Sequence, residues 1–226
     1  MPAPRPDPTT APRTTTTPAE AVVIVVLCFG WTIQASLRAL GEDWPVTAFS
    51  DAELLSIIAI EAVVSALALV FLAVRGYAIA SLRPAPTWRD SAFGVALLVA
   101  CWIGSVLVAM PFAAQGASEP IRQMVTQAHL SMPVIVLVSA LNAVFEETFL
   151  LAVLLRGLRG LGASTALGLS LLVRLLYHLY QGPVGALAVT AFGLGLGLFY
   201  VRTGRLWPVI VAHALTDVAG FALGSA

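Results

Sequence analysis

Long apolar runs separated by short polar stretches set the pattern of the chain. Crossing the roughly 30 Å hydrocarbon core takes about 20 mainly apolar residues in a helix. Seven runs reach or approach that length, near residues 21–40, 53–74, 91–112, 132–155, 163–180, 184–201 and 206–223. The last three are joined by very short connections, YQGP and RTGR, and the turn signals at Gly160-Leu161-Gly162, Gly182-Pro183 and Gly204 divide them into separate helices. The pattern predicts an all-α, multi-pass transmembrane helix bundle of about seven spans. Residues 1–19, rich in proline and threonine and almost free of large apolar groups, are expected to form a disordered tail in water. This tail does not have the basic-then-apolar layout of a signal peptide, so the first apolar run reads as a retained anchor.

Composition agrees with a lipid solvent. Hydrophobic residues make up 59% of the chain and charged ones 11%, with a mean hydropathy of +0.92, whereas a soluble domain is about a quarter charged. Net charge is zero and no basic block exists, so nothing points to nucleic acid. All twelve basic residues are arginine, a weak hint of a GC-rich bacterial genome. Arg5, Arg13, Arg75, Arg83, Arg89, Arg156, Arg159, Arg202 and Arg205 fall in the tail and in alternate loops, against Arg38 and Arg122 on the other side. The positive-inside rule then places the N-terminus in the cytoplasm and the C-terminus outside a cell membrane. Cys28 and Cys101 lie in apolar runs and read as buried small hydrophobes.

Ionisable residues inside the spans carry the chemical signal, because each needs a partner, a water-filled cavity or a function. They are Glu61, Glu146, Glu147, Arg174, His178, His213 and Asp217. Arg174 and His178 are four apart, as are His213 and Asp217, and Asn142 and Glu146, so each pair shares a helix face. Glu147 is turned about 100° from Glu146, leaving one carboxylate to face a cavity and the other a neighbouring helix. Three polar stripes suggest a common site among the fourth, fifth and seventh spans, built as helix bundles build them. No G-x-S-x-G frame surrounds Ser105, so water is the better nucleophile, with a glutamate as base and imidazoles holding the water or an oxyanion.

Phe145-Glu146-Glu147, then the helix ending Leu155-Arg156-Gly157, then Tyr177-His178-Leu179-Tyr180-Gln181-Gly182, then Gly204-Arg205-Leu206-Trp207-Pro208 leading to His213-Ala214-Leu215-Thr216-Asp217, resembles the CPBP family. That family comprises CAAX-type prenyl endopeptidases and bacteriocin-processing or self-immunity (Abi-type) proteins, and its proteolytic members are glutamate-dependent intramembrane proteases. The resemblance covers about residues 131–222 and implies a C-terminal four-helix catalytic core. It divides the chain into a cytoplasmic tail (1–19), N-terminal transmembrane helices (20–130) and a CPBP-like core (131–226). It further implies that Glu146 is the base on a catalytic water, that His178 holds the water, that His213 and residue 217 stabilise the oxyanion, and that Glu147 is a supporting acid. The substrate would be a peptide or membrane protein in the bilayer. No cofactor is expected; zinc, which two histidines and a glutamate could ligate, ranks second because the glutamate–water scheme uses the same residues without it.

The sequence departs from the family pattern at three positions. Leu151 stands where arginine is usual, Arg174 where phenylalanine is common, and Asp217 where many proteases have asparagine. Arg174 is expected to supply the missing guanidinium from the next helix by pairing with Glu147. An ionised Asp217 would repel an oxyanion, so it must be protonated or must orient His213. Two other classes fit the same composition: a catalytically silent immunity or scaffold protein, and a proton-coupled transporter relaying through Glu61, Glu146 and the histidines. Tyr177, Tyr180 and Trp207 suit interfacial anchoring, His129 reads as a solvated loop residue, and the glycines of 193–197 as close helix packing.

Overall fold

The computed structural model describes residues 12–117 and 119–224. The chain forms α1 Pro18–Gly41, α2 Asp51–Val74, α3 Trp88–Ala114, a short α4 Pro120–Thr126, α5 Met132–Glu147, α6 Ala163–His178, α7 Gly182–Thr203 and α8 Trp207–Gly224. Their starts follow local chemistry. Thr17 and Ser50 close capping boxes with Glu20 and Glu53, and the Thr87 side chain accepts from the Asp90 N–H. Proline opens α1, α4, α5 and α7, where its missing N–H has no intrahelical partner to lose.

Among the described residues, six stretches are long and apolar enough to cross a bilayer, and the longest, Ala163–Thr203, is 41 residues. It consists of α6 and α7, separated by a 3₁₀ turn at Leu179–Gln181 and by Gly182, whose φ of +78° reverses the chain where a side chain would be strained. With α6 and α7 taken apart, the long helices among the described residues number seven. Val22, Val26, Val63, Leu67, Val70 and Leu107 are more than half exposed on α1, α2 and α3. Outward-facing valines and leucines in such numbers belong against lipid, and the protein is a multi-pass membrane protein.

The fourth span lies at the centre of the bundle. After Glu147 the α5 helix continues as a π-helical segment, Thr148–Leu155, and Phe149 through Leu155 are all buried. The wider winding displaces backbone carbonyls from their α-helical donors, and neighbours supply replacements. The Ser170 hydroxyl donates to the Leu150 carbonyl at 2.9 Å and the Tyr77 hydroxyl to the Ala152 carbonyl at 3.0 Å. Around this centre α8 and α2 pack on α5, α7 and α1 on α6, and α3 against both α7 and α8.

The expected tail falls in part on residues 1–11, which lie outside the described residues. Residues 12–17 lie against the bundle, and the first helix begins at Pro18. Arg13 donates its N–H to the Gly76 carbonyl at 3.2 Å and accepts from the Ala78 N–H at 2.8 Å, while its guanidinium reaches Glu20 at 2.5 and 2.9 Å. Arg75 also donates to Glu20, at 2.8 Å.

Candidate active site

Three helices bring their polar stripes together inside the bundle. The fourth span contributes Asn142, Glu146 and Glu147; α6 contributes Arg174, Tyr177 and His178; α8 contributes His213 and Asp217. Arg174 is only 2% exposed and lies between the two glutamates, with Nη2 2.6 Å from Glu147 Oε1 and Nη1 3.4 Å from Glu146 Oε2. Gly193 of α7 makes room for it, since a Cβ there would overlap Cδ and Nε of the arginine. The 100° offset between the glutamates therefore does not separate them: both carboxylates bend to one guanidinium.

Glu147 is completely buried, and its Oε1 also meets His213 Nδ1 at 2.6 Å. Its Oε2 is sealed and has no hydrogen-bond partner among the described residues. Glu146 differs. Its Oε2 accepts a short hydrogen bond from the Tyr177 hydroxyl and lies 3.9 Å from His213 Nε2. Its Oε1 carries no hydrogen bond from the described residues, yet it is not among the sealed atoms, and the side chain keeps 7% of its surface open. Of the two carboxylates, only Glu146 has an oxygen that water can reach.

His213 has a carboxylate oxygen near each ring nitrogen: Glu147 at Nδ1, and Asp217 Oδ2 3.4 Å from Nε2. Asp217 also accepts from Asn142 Nδ2 at 3.4 Å, so α5 and α8 are cross-linked through it. His178 Nδ1 donates to the Arg174 carbonyl at 2.9 Å, so that Nε2 is the nitrogen that accepts when the ring is neutral. No protein hydrogen bond joins His178 to Glu146 or His213 among the described residues. His178 is instead placed with His213, Arg174 and Asp217 on the wall of one cavity of about 450 Å³ between α3, α7 and α8.

Tyr177 is a correction to the sequence reading. It is 5% exposed, stacked on Phe29 with ring centroids 5.1 Å apart, and bonded to Glu146, so it belongs to the site and not to an interfacial belt. Its position three residues after Arg174 and one before His178 was the available signal, since the helix puts residues 174, 177 and 178 on one side. Leu151, at the position where arginine is usual, is buried in the apolar core. Glu61 of α2 is also buried, with a sealed and unpartnered Oε2. His129 is exposed, and Trp207 donates its indole N–H to Ser91 at 2.9 Å.

Ligand atoms of Glu146, Glu147 and His213 lie within 4.8 Å of one another, the spacing of a metal site. The donor set does not fit a divalent cation. Glu147 Oε1 is taken by Arg174 and His213, and the guanidinium that also reaches Glu146 would face the metal with like charge.

The fold and the buried carboxylate–guanidinium–imidazole network define a polytopic helical membrane protein with a polar site held inside its C-terminal helices. Residues 128–219, from just after α4 through most of α8, match the family model described as type II CAAX prenyl endopeptidase Rce1-like, a model of the CPBP family. The match supports a protease-like function acting on a peptide at a lipid bilayer. No curated protein and no solved structure matches the chain.

Proposed function

We propose that the protein is an intramembrane endopeptidase that hydrolyses a peptide bond with a water activated by Glu146. The observation that carries this reading is the asymmetry of the glutamate pair: Glu147 is sealed into an ion pair, while Glu146 is held by Tyr177 and Arg174 through one oxygen and open through the other. A base must reach its water, and only Glu146 meets that condition. In this scheme Glu146 Oε1 takes a proton from the water, whose other hydrogen is held by His178 Nε2, and the hydroxide attacks the scissile carbonyl. His213 Nε2–H faces the oxyanion of the tetrahedral intermediate. Glu147 orients that imidazole by accepting from its Nδ1–H, Asp217 lies 3.4 Å from Nε2 and shares its N–H, and on collapse Glu146 returns its proton to the leaving amine. Arg174 and Glu147 act through these groups as positioning residues.

The substrate enters through the cavity between α3, α7 and α8. Its wall includes Trp102, Val106 and Met110, which are exposed on the outside of the bundle, and Glu119. The division into N-terminal helices and a catalytic core of residues 131–226 follows the same scheme, with α3 serving as a wall of the core's cavity. The N-terminus is assigned to the cytoplasm of a cell-membrane protein on the arginine distribution. Incubation of the full chain in proteoliposomes with an apolar membrane peptide tests the reading. Cleavage is expected in the wild type, and its loss in Glu146→Gln and His178→Ala variants that unfold at the wild-type temperature.

A further inference from the structure

His178 is the last residue of α6, where the helix runs into the 3₁₀ turn at Leu179–Gln181 and the chain reverses at Gly182. Its Nδ1 is bonded to the Arg174 carbonyl one turn back, and its ring meets those of Tyr177 and Tyr180 at centroid distances of 4.3 and 6.3 Å. The direction of Nε2 is therefore set by the backbone of residues 174–180. A helix end is a yielding place to hold a side chain, because its last four carbonyls lack intrahelical donors.

At this end the donors come from the N-terminal half of the chain. Tyr177 is one of the last four residues of α6, and its carbonyl accepts from the hydroxyl of Ser36 on α1 at 2.6 Å; Ser36 is only 1% exposed. The Leu179 carbonyl, which takes the Gly182 N–H, also accepts from the Trp44 indole at 2.8 Å. The carbonyls on both sides of His178 are thus pinned. The Tyr177 ring is in addition stacked on Phe29, about two turns before Ser36 on the same helix. The approach of Trp44 needs an unusual backbone. Asp43 and Trp44 follow α1 with φ of 56° and 54°, in the left-handed region that strains a residue bearing a side chain. The Trp44 N–H folds back on the Ala39 carbonyl at 2.8 Å while its indole reaches across to Leu179. Strain of this kind persists only where the surroundings hold it. Phe29, Ser36 and Trp44 all lie outside residues 128–219, the segment that matches the family model.

We propose that Ser36 and Trp44 are positioning residues for the hydrolysis, capping the carbonyls on both sides of His178 and so fixing where its Nε2 holds the water. The proposal rests on the protease reading for the role of His178, but the placement of the ring is tested without turnover. The full chain, labelled with ¹⁵N-histidine and placed in lipid nanodiscs, gives ring-nitrogen resonances for three histidines, assigned by single substitution. Ser36→Ala and Trp44→Phe, each removing one donor, should shift the His178 resonances and leave those of His129 in place. With an apolar membrane peptide, each variant should lower kcat about 10-fold at unchanged KM, and the two together about 100-fold. Ser36→Thr, which keeps the hydroxyl, should restore most of the rate. A merely structural role gives a different pattern, a lower unfolding temperature with kcat and the His178 resonances unchanged, and that result would overturn the proposal. So would a rise in KM at constant kcat. If Ser36→Ala does not fold, Trp44→Phe on the half-buried connector makes the same comparison. Shifted His178 resonances in a chain that cleaves no peptide would count against the protease reading alone.

Discussion

At the scale of single residues, the two adjacent glutamates separate into different tasks. Glu147 and Arg174 form a buried ion pair, and removing one member leaves a charge in hydrocarbon. Glu147→Ala or Arg174→Leu is therefore expected to destabilise the protein by about 3–5 kcal/mol. The double substitution Glu147→Leu/Arg174→Met should recover much of that loss, and thermal unfolding in detergent is the check. Glu146→Gln retains an acceptor for Tyr177 and should leave unfolding almost unchanged while reducing cleavage by about 10²- to 10⁴-fold. The titratable members of the site were legible in the sequence because charge inside an apolar run is conspicuous and helical spacing sorts it into faces. Tyr177 was not, because a tyrosine beside a span end has an ordinary interfacial explanation. Only the three-dimensional approach of its hydroxyl to Glu146 removes that explanation.

At the scale of elements, the site depends on two backbone features. The π-helical segment directly follows Glu147, and Ser170 and Tyr77 supply its displaced carbonyls with donors. Ser170→Ala should cost about 1 kcal/mol, seen as a lower unfolding temperature, with cleavage affected only through the placement of the glutamates. Gly193 makes the second contribution by letting α7 approach Arg174. Gly193→Ala is expected to cost about 1–3 kcal/mol by overpacking and to reduce cleavage as well, since the side chain it displaces holds both carboxylates. The helices themselves were readable from apolar length and from glycine and proline punctuation, and α6 and α7 part at the predicted Gly182. The π winding was not readable, because Thr148–Leu155 has the same apolar composition as an ordinary buried helix. The short α4 was missed because seven residues carry too little periodicity to stand out in a loop.

At the scale of the molecule, the N-terminal helices do more than anchor the core. The α3 helix walls the catalytic cavity, α1 supports Tyr177 through Phe29, and residues 13–16 tie the α2–α3 connector to Gly157 at the end of the fourth span. The arginine distribution orients this assembly. Single cysteines at positions 83 and 159 should react with a membrane-impermeant maleimide only from the cytoplasmic face, and cysteines at 42 and 119 only from the opposite one. Labelling of all four from one face would refute the orientation. The central claim is that Glu146 activates water for peptide-bond hydrolysis inside the bundle. Its most direct test is cleavage of a membrane peptide in ¹⁸O-water by the full chain and by Glu146→Gln. ¹⁸O is expected in the new carboxyl group with the wild type, and about a 100-fold or greater loss of rate in the variant at unchanged unfolding temperature. Equal rates in the two proteins would contradict it.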